Sequence, residues 1–109
     1  EALAITHGDD GIKVSVVCPQ YVATPMLGYA EDHEIELSEG VITPGQVAET
    51  VIEGIQAERF LILPHPIAEK FRQNKVADYD RWLGGMRRLR RDIIAEVGST
   101  RAEDMHKLI

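Results

Sequence analysis

The sequence predicts an α/β fold built on a parallel sheet and followed by a helical extension. Three observations predict it. Residues 12–18 and 60–63 are apolar, β-branched runs that read as strands. A capped helix with one apolar stripe lies between them, so the order is strand, long loop, helix, strand, the crossover arrangement of parallel sheets. Past Pro66 the apolar residues recur at helical spacing as far as Val97.

Taken in order, residues 1–7 read as the last turns of a helix, with Gly8 as its left-handed stop and Asp9, Asp10 and Gly11 as a turn. The helix opens on Glu1 with no capping residue before it, which reads as a piece of a longer protein. Residues 12–18, Ile-Lys-Val-Ser-Val-Val-Cys, start with alternation and finish as an unbroken apolar run, the pattern of a strand buried on both faces. Pro19 removes a backbone donor and ends it. Residues 19–43 form a long connection, a length that marks function or mobility in a compact domain. Thr43, Pro44 and Gln46 form a capping box with proline at the first helical position, and Val47, Ala48, Val51, Ile52 and Ile55 line one face of the helix, which ends near Ala57. Phe60 to Leu63 is the second strand, stopped by Pro64. Phe71, Tyr79, Trp82, Leu83, Met86, Leu89, Ile93 and Val97 carry the helical extension, with Gly84 and Gly85 as a kink or a break between two helices. Thr100 and Glu103 have the spacing of a cap for a short terminal helix. Residues 1–66 thus form one unit and residues 67–109 an extension and tail.

Composition excludes several classes. A net charge of −6 argues against a nucleic-acid partner. The charge is uneven: residues 1–66 hold eleven acids against Lys13 and Arg59, whereas residues 67–95 hold eight bases against Glu69, Asp78, Asp80 and Asp92. No apolar run reaches the ~18 residues of a membrane span. The lone Cys18 can form no internal disulfide and fits a reducing, cytoplasmic setting. At the end of a buried strand it reads as a small core hydrophobe. His7, His33, His65 and His106 lack metal-ligand spacing, so no metal site is expected.

Residues 11–26, Gly-Ile-Lys-Val-Ser-Val-Val-Cys-Pro-Gln-Tyr-Val-Ala-Thr-Pro-Met, closely resemble a segment of the short-chain dehydrogenase/reductase family, in which the sixth strand runs into a Pro-Gly-x-Val-x-Thr loop beside the nicotinamide. Residues 1–8 look like the end of that family's catalytic helix, and residues 43–63 like its last crossover helix and seventh strand. The resemblance implies the C-terminal part of a doubly wound, Rossmann-like domain. It implies that Pro19, Gln20, Val22 and Thr24 contact NAD or NADP, with the Val22 backbone on the nicotinamide carboxamide and the Thr24 hydroxyl on the carboxamide or phosphates. It implies a substrate lid at Met26, Leu27 and Tyr29, an alcohol/carbonyl substrate, and a homo-oligomer. Gln20 departs from the family's glycine, which puts the loop's backbone geometry in question. The family's catalytic Ser, Tyr and Lys and its glycine-rich loop have no counterpart here. They are expected upstream, and the 109 residues alone are expected to be inactive.

Each of these residues also has a plainer reading. Pro19 to Thr24 could be a simple strand-end turn, and Met26, Leu27 and Tyr29 could be core packing for a short helix. Arg87, Arg88, Arg90 and Arg91 suit a solvated helix face better than a phosphate-binding surface, since Met86 and Leu89 interleave with them. Tyr79 and Trp82 suit either a subunit contact or packing on the parent domain. Two other functions fit the same residues: a non-catalytic regulator on the same fold, and a binding module using the basic helix.

Overall fold

A computed structural model describes residues 1–30, 36–101 and 104. Its elements are α1 (Ala2–His7), β1 (Val16–Val17), a 3-10 turn (Pro25–Leu27), α2 (Pro44–Gln56), β2 (Leu61–Ile62), α3 (Ile67–Ala77) and α4 (Tyr79–Val97). β1 and β2 pair in parallel, with Val16 opposite Leu61 and Val17 opposite Ile62. The Val16 N–H donates to the Phe60 carbonyl at 2.7 Å and the Cys18 N–H to the Ile62 carbonyl at 3.0 Å. Among the described residues no helix is long and apolar enough to cross a membrane.

The expected doubly wound, Rossmann-like sheet is not what the chain forms. The described residues make a helix-rich domain with two short parallel strands. The reason lies in strand pairing. An apolar run becomes a long buried strand only when neighbours on either side satisfy its backbone and cover its faces. Among the described residues, 12–18 have one neighbouring strand, so pairing shrinks to Val16 and Val17, which remain 38% and 37% exposed. Cys18 is likewise exposed rather than a core residue.

Two other boundaries move. Gly8 keeps right-handed helical angles (φ −59°), and the left-handed residue is Gly11 (φ 83°), three positions on, where the chain turns toward the first strand. The extension does not break at Gly84 and Gly85: α4 runs through both, and the break falls at Asp78. Asp78 is extended (φ −158°), and its carboxylate accepts from the Arg81 N–H at 3.0 Å, so it ends α3 and caps α4. A side-chain oxygen that takes over a helix-terminal donor competes directly with continued helix, whereas a glycine costs only ~1 kcal/mol. The cap expected at Thr100 and Glu103 involves residues outside those described.

The helix α2 begins as its sequence predicts. Thr43 Oγ1 accepts from the Gln46 N–H at 3.1 Å, and Gln46 Oε1 accepts from the Thr43 N–H at 2.8 Å. It crosses β2 at Gly54, where a side-chain Cβ would lie 2.5 Å and 2.7 Å from two carbons of Ile62. This close approach makes Ile62 one of the most buried apolar residues, with Ala23, Leu27, Val41 and Ile93. The core is small because the molecule is thin. It measures 51 × 42 × 18 Å with a radius of gyration of 16.8 Å, against about 13 Å for a compact chain of ~100 residues.

Candidate functional site

The segment that leaves the carboxyl end of β1 is held by one side chain that follows the neighbouring strand β2. His65, 3% exposed, follows β2 between Pro64 and Pro66. The Gln20 N–H donates to its Nδ1 at 3.0 Å, and its Nε2 lies 3.0 Å from the Tyr21 carbonyl oxygen. The backbone amide is necessarily the donor in the first bond, so Nδ1 is the bare nitrogen, and Nε2 carries the hydrogen donated to Tyr21. The ring is therefore neutral, with both nitrogens satisfied by consecutive residues of the loop.

Beyond Tyr21 the segment runs beside Ile42 as a single parallel bridge. The Ile42 N–H donates to the Tyr21 carbonyl (3.2 Å), and the Ala23 N–H donates to the Ile42 carbonyl (2.9 Å). This alternation leaves the N–H and C=O of Val22 directed away from Ile42, and among the described residues neither group has a hydrogen-bond partner. Thr24 then precedes the 3-10 turn. Its carbonyl accepts from the N–H groups of Leu27 and Tyr29, while its hydroxyl makes no cap bond.

The residues expected as a lid go to three environments. Leu27 is buried, Met26 is 78% exposed, and the Tyr29 hydroxyl donates to Ser38 Oγ (3.1 Å) and accepts from the Ser38 N–H (3.3 Å). Gly28 turns the chain in the left-handed region (φ 81°) between them.

A crevice of about 800 Å³ separates the loop from the helical pair α3 and α4. Gln20 and Tyr21 form one wall. Phe71 and Asn74 of α3, and Trp82, Met86 and Leu89 of α4, form the other, with Arg81, Arg88 and Asp78 also lining it. Partial burial raises the Tyr21 hydroxyl pKa above its ordinary value of 10.0. Of the residues expected at the cofactor, only Gln20 lines this crevice; Val22, Thr24 and the three lid residues do not. The sequence spacing speaks only against His65 as a metal ligand and does not reveal its role as a clamp. Its one signal is a histidine held between two prolines just after an apolar strand, a place where a side chain can reach back across the sheet end.

α4 divides by face. Trp82, Leu89 and the buried Ile93 (1% exposed) share one side, and Arg87 and Arg91 project from the opposite, exposed side. Lys75 of α3 lies 4.7 Å from the Trp82 ring centre and 5.5 Å from that of Tyr79, bridging the break at Asp78. Glu69 forms a two-point ion pair with Arg72 (2.7 and 2.8 Å) and accepts from Gln73, which hold its carboxyl well below its ordinary value, at about 2. No cluster of metal-ligating side chains occurs among the described residues.

Fold and site define a helix-rich domain in which a strand-end loop, clamped by a buried histidine, faces a helical pair across an apolar crevice. Compared with protein-family models, curated proteins and solved structures, the chain matches none.

Proposed function

We propose that this chain carries the nicotinamide-contacting loop and part of the substrate enclosure of an NAD(P)-dependent short-chain oxidoreductase, a cytoplasmic homo-oligomer acting on an alcohol/carbonyl pair. The observation that carries this reading is the Val22 backbone. Its N–H and C=O are unpaired among the described residues, and they are held in place by the bridge to Ile42 on one side and the His65 clamp just before it. A carboxamide needs this pair of groups, one donor and one acceptor on a rigid strand. The likeness of residues 11–26 to the short-chain dehydrogenase/reductase loop is the second support.

NAD or NADP, when bound, supplies the hydride chemistry. The chain's own part is orientation. The Val22 N–H donates to the carboxamide oxygen and its C=O accepts from the carboxamide N–H. The Thr24 hydroxyl adds a further bond, and Pro19 and Gln20 shape the approach. None of these groups moves a proton. The family's Ser, Tyr and Lys have no counterpart in these 109 residues, so proton transfer belongs to another part of the enzyme.

The test is reduction of a panel of ketones and aldehydes by NADH and NADPH in the full-length protein, followed by loss of nicotinamide absorbance. Val22→Pro removes the N–H and leaves both bonds to Ile42 in place. It is expected to lower kcat/KM by about tenfold or more, the cost of losing one orienting hydrogen bond. A full-length protein that binds neither dinucleotide, or a Val22→Pro variant that turns over at the parent rate, overturns the reading.

A further inference from the structure

The crevice beside the loop has a chemistry of its own. Its walls are aromatic and aliphatic: Phe71, Trp82, Met86 and Leu89, with Tyr21 opposite. Its volume of about 800 Å³ lies in the ordinary range for a small-molecule site, roughly 300–1,000 Å³. Two cations line it, Arg81 and Arg88, seven residues and so two helical turns apart, about 10 Å along α4. Among the described residues neither arginine makes an ion pair or side-chain hydrogen bond. The acidic group in the lining, Asp78, is already engaged in capping α4 through the Arg81 N–H.

The geometry points to a binding site for an amphipathic monocarboxylate, an apolar chain or ring system bearing one carboxylate. The apolar body lies along Trp82, Met86 and Leu89, and the carboxylate takes the planar fork of an arginine. Charge complementarity selects the head group. An unpaired guanidinium beside an apolar wall favours an anion able to accept two parallel N–H bonds, and a carboxylate does so with one negative charge. A dianionic phosphate meets more repulsion from Asp78 on the same lining. Binding itself does not depend on the oxidoreductase reading. That the ligand is the enzyme's substrate does rest on it, through the shared residue Gln20.

The test uses dodecanoate below its micelle concentration, with no nicotinamide present. Trp82 is the single tryptophan of the sequence and lines the crevice, so its fluorescence reports occupancy. Dodecanoate is expected to shift Trp82 emission saturably, and dodecanol to bind about tenfold or more weakly, the worth of a charge-assisted pair. The double variant Arg81→Gln, Arg88→Gln is expected to bring dodecanoate down to the dodecanol level with the far-ultraviolet circular dichroism unchanged. Absence of saturable binding, equal affinity for dodecanol, or calorimetric binding that leaves Trp82 emission and the double variant unaffected would each overturn the site. Failure of nicotinamide-dependent turnover alone would remove the word substrate and leave the site standing.

Discussion

His65 joins two distant stretches of the chain: one imidazole accepts the Gln20 N–H and donates to the Tyr21 carbonyl. Because the ring is buried, removing it leaves the Gln20 N–H without a partner where water has poor access, while the Tyr21 carbonyl keeps its bond from the Ile42 N–H. His65→Ala is expected to destabilise the protein by about 1–3 kcal/mol, the cost of the one stranded N–H. Chemical denaturation measures the loss. Hydrogen exchange should place it, with the Gln20 amide losing more protection than the amides of α4. Equal loss in both places would mean that the ring supports the whole domain and does not clamp the loop.

Gly54 is where α2 meets β2, and a Cβ there would overlap Ile62. Gly54→Ala gains helix propensity, ~1 kcal/mol in an open position. Here the overlap with two Ile62 carbons is expected to reverse the sign and cost about 1–3 kcal/mol. Pairing it with Ile62→Val, which withdraws the overlapping Cδ1, should recover part of that loss. A Gly54→Ala variant more stable than the parent in thermal melts would show that the two elements separate easily.

Lys75 bridges α3 and α4 by sitting over Trp82 and beside Tyr79. The pair of rings meets edge to face, 6.4 Å between centres. At an exposed site such a contact is worth roughly 0.5–1 kcal/mol. Lys75→Met keeps the aliphatic stem and removes the charge, so it isolates this contribution. The expected result is a loss of that size in denaturant titration and a change in Trp82 emission.

Glu69 and Arg72 give a pH dependence with a defined sign. The carboxyl sits at about 2 in the folded chain against an ordinary 4.5, because Arg72 and Gln73 bond its ionised form. Its contribution is therefore complete above pH 4.5 and is lost as pH falls from there through about 2. Both groups are solvent-exposed, so the effect is local to α3 and weakened by salt. Carboxyl-resolved NMR titration should find Glu69 well below its ordinary value, and Arg72→Ala should return it toward that value.

Residue types legible along the chain did settle some features. The capping box at Thr43 and Gln46 formed as read, since its partners are three residues apart and need no tertiary help. Strand, helix and strand also came in the expected order, with a parallel pair. Arg87 and Arg91 lie on an exposed face, as the interleaved apolar residues of α4 indicate. Local patterns carry such information because they depend on neighbours within a turn or two.

Strand length, the exposure of Cys18, the crevice and the His65 clamp were decided only by tertiary structure. Residues 12–18 read as a fully buried strand, yet burial depends on what lies on either side of the ladder, and here a single two-residue partner covers it. The break at Asp78 in place of Gly84 and Gly85 turned on whether a carboxylate reached the Arg81 N–H. The imidazole of His65 contacts residues 44 and 45 positions away. Periodicity along a sequence records which faces are apolar; it does not record which distant group arrives to meet them, and both the clamp and the crevice are made of such meetings.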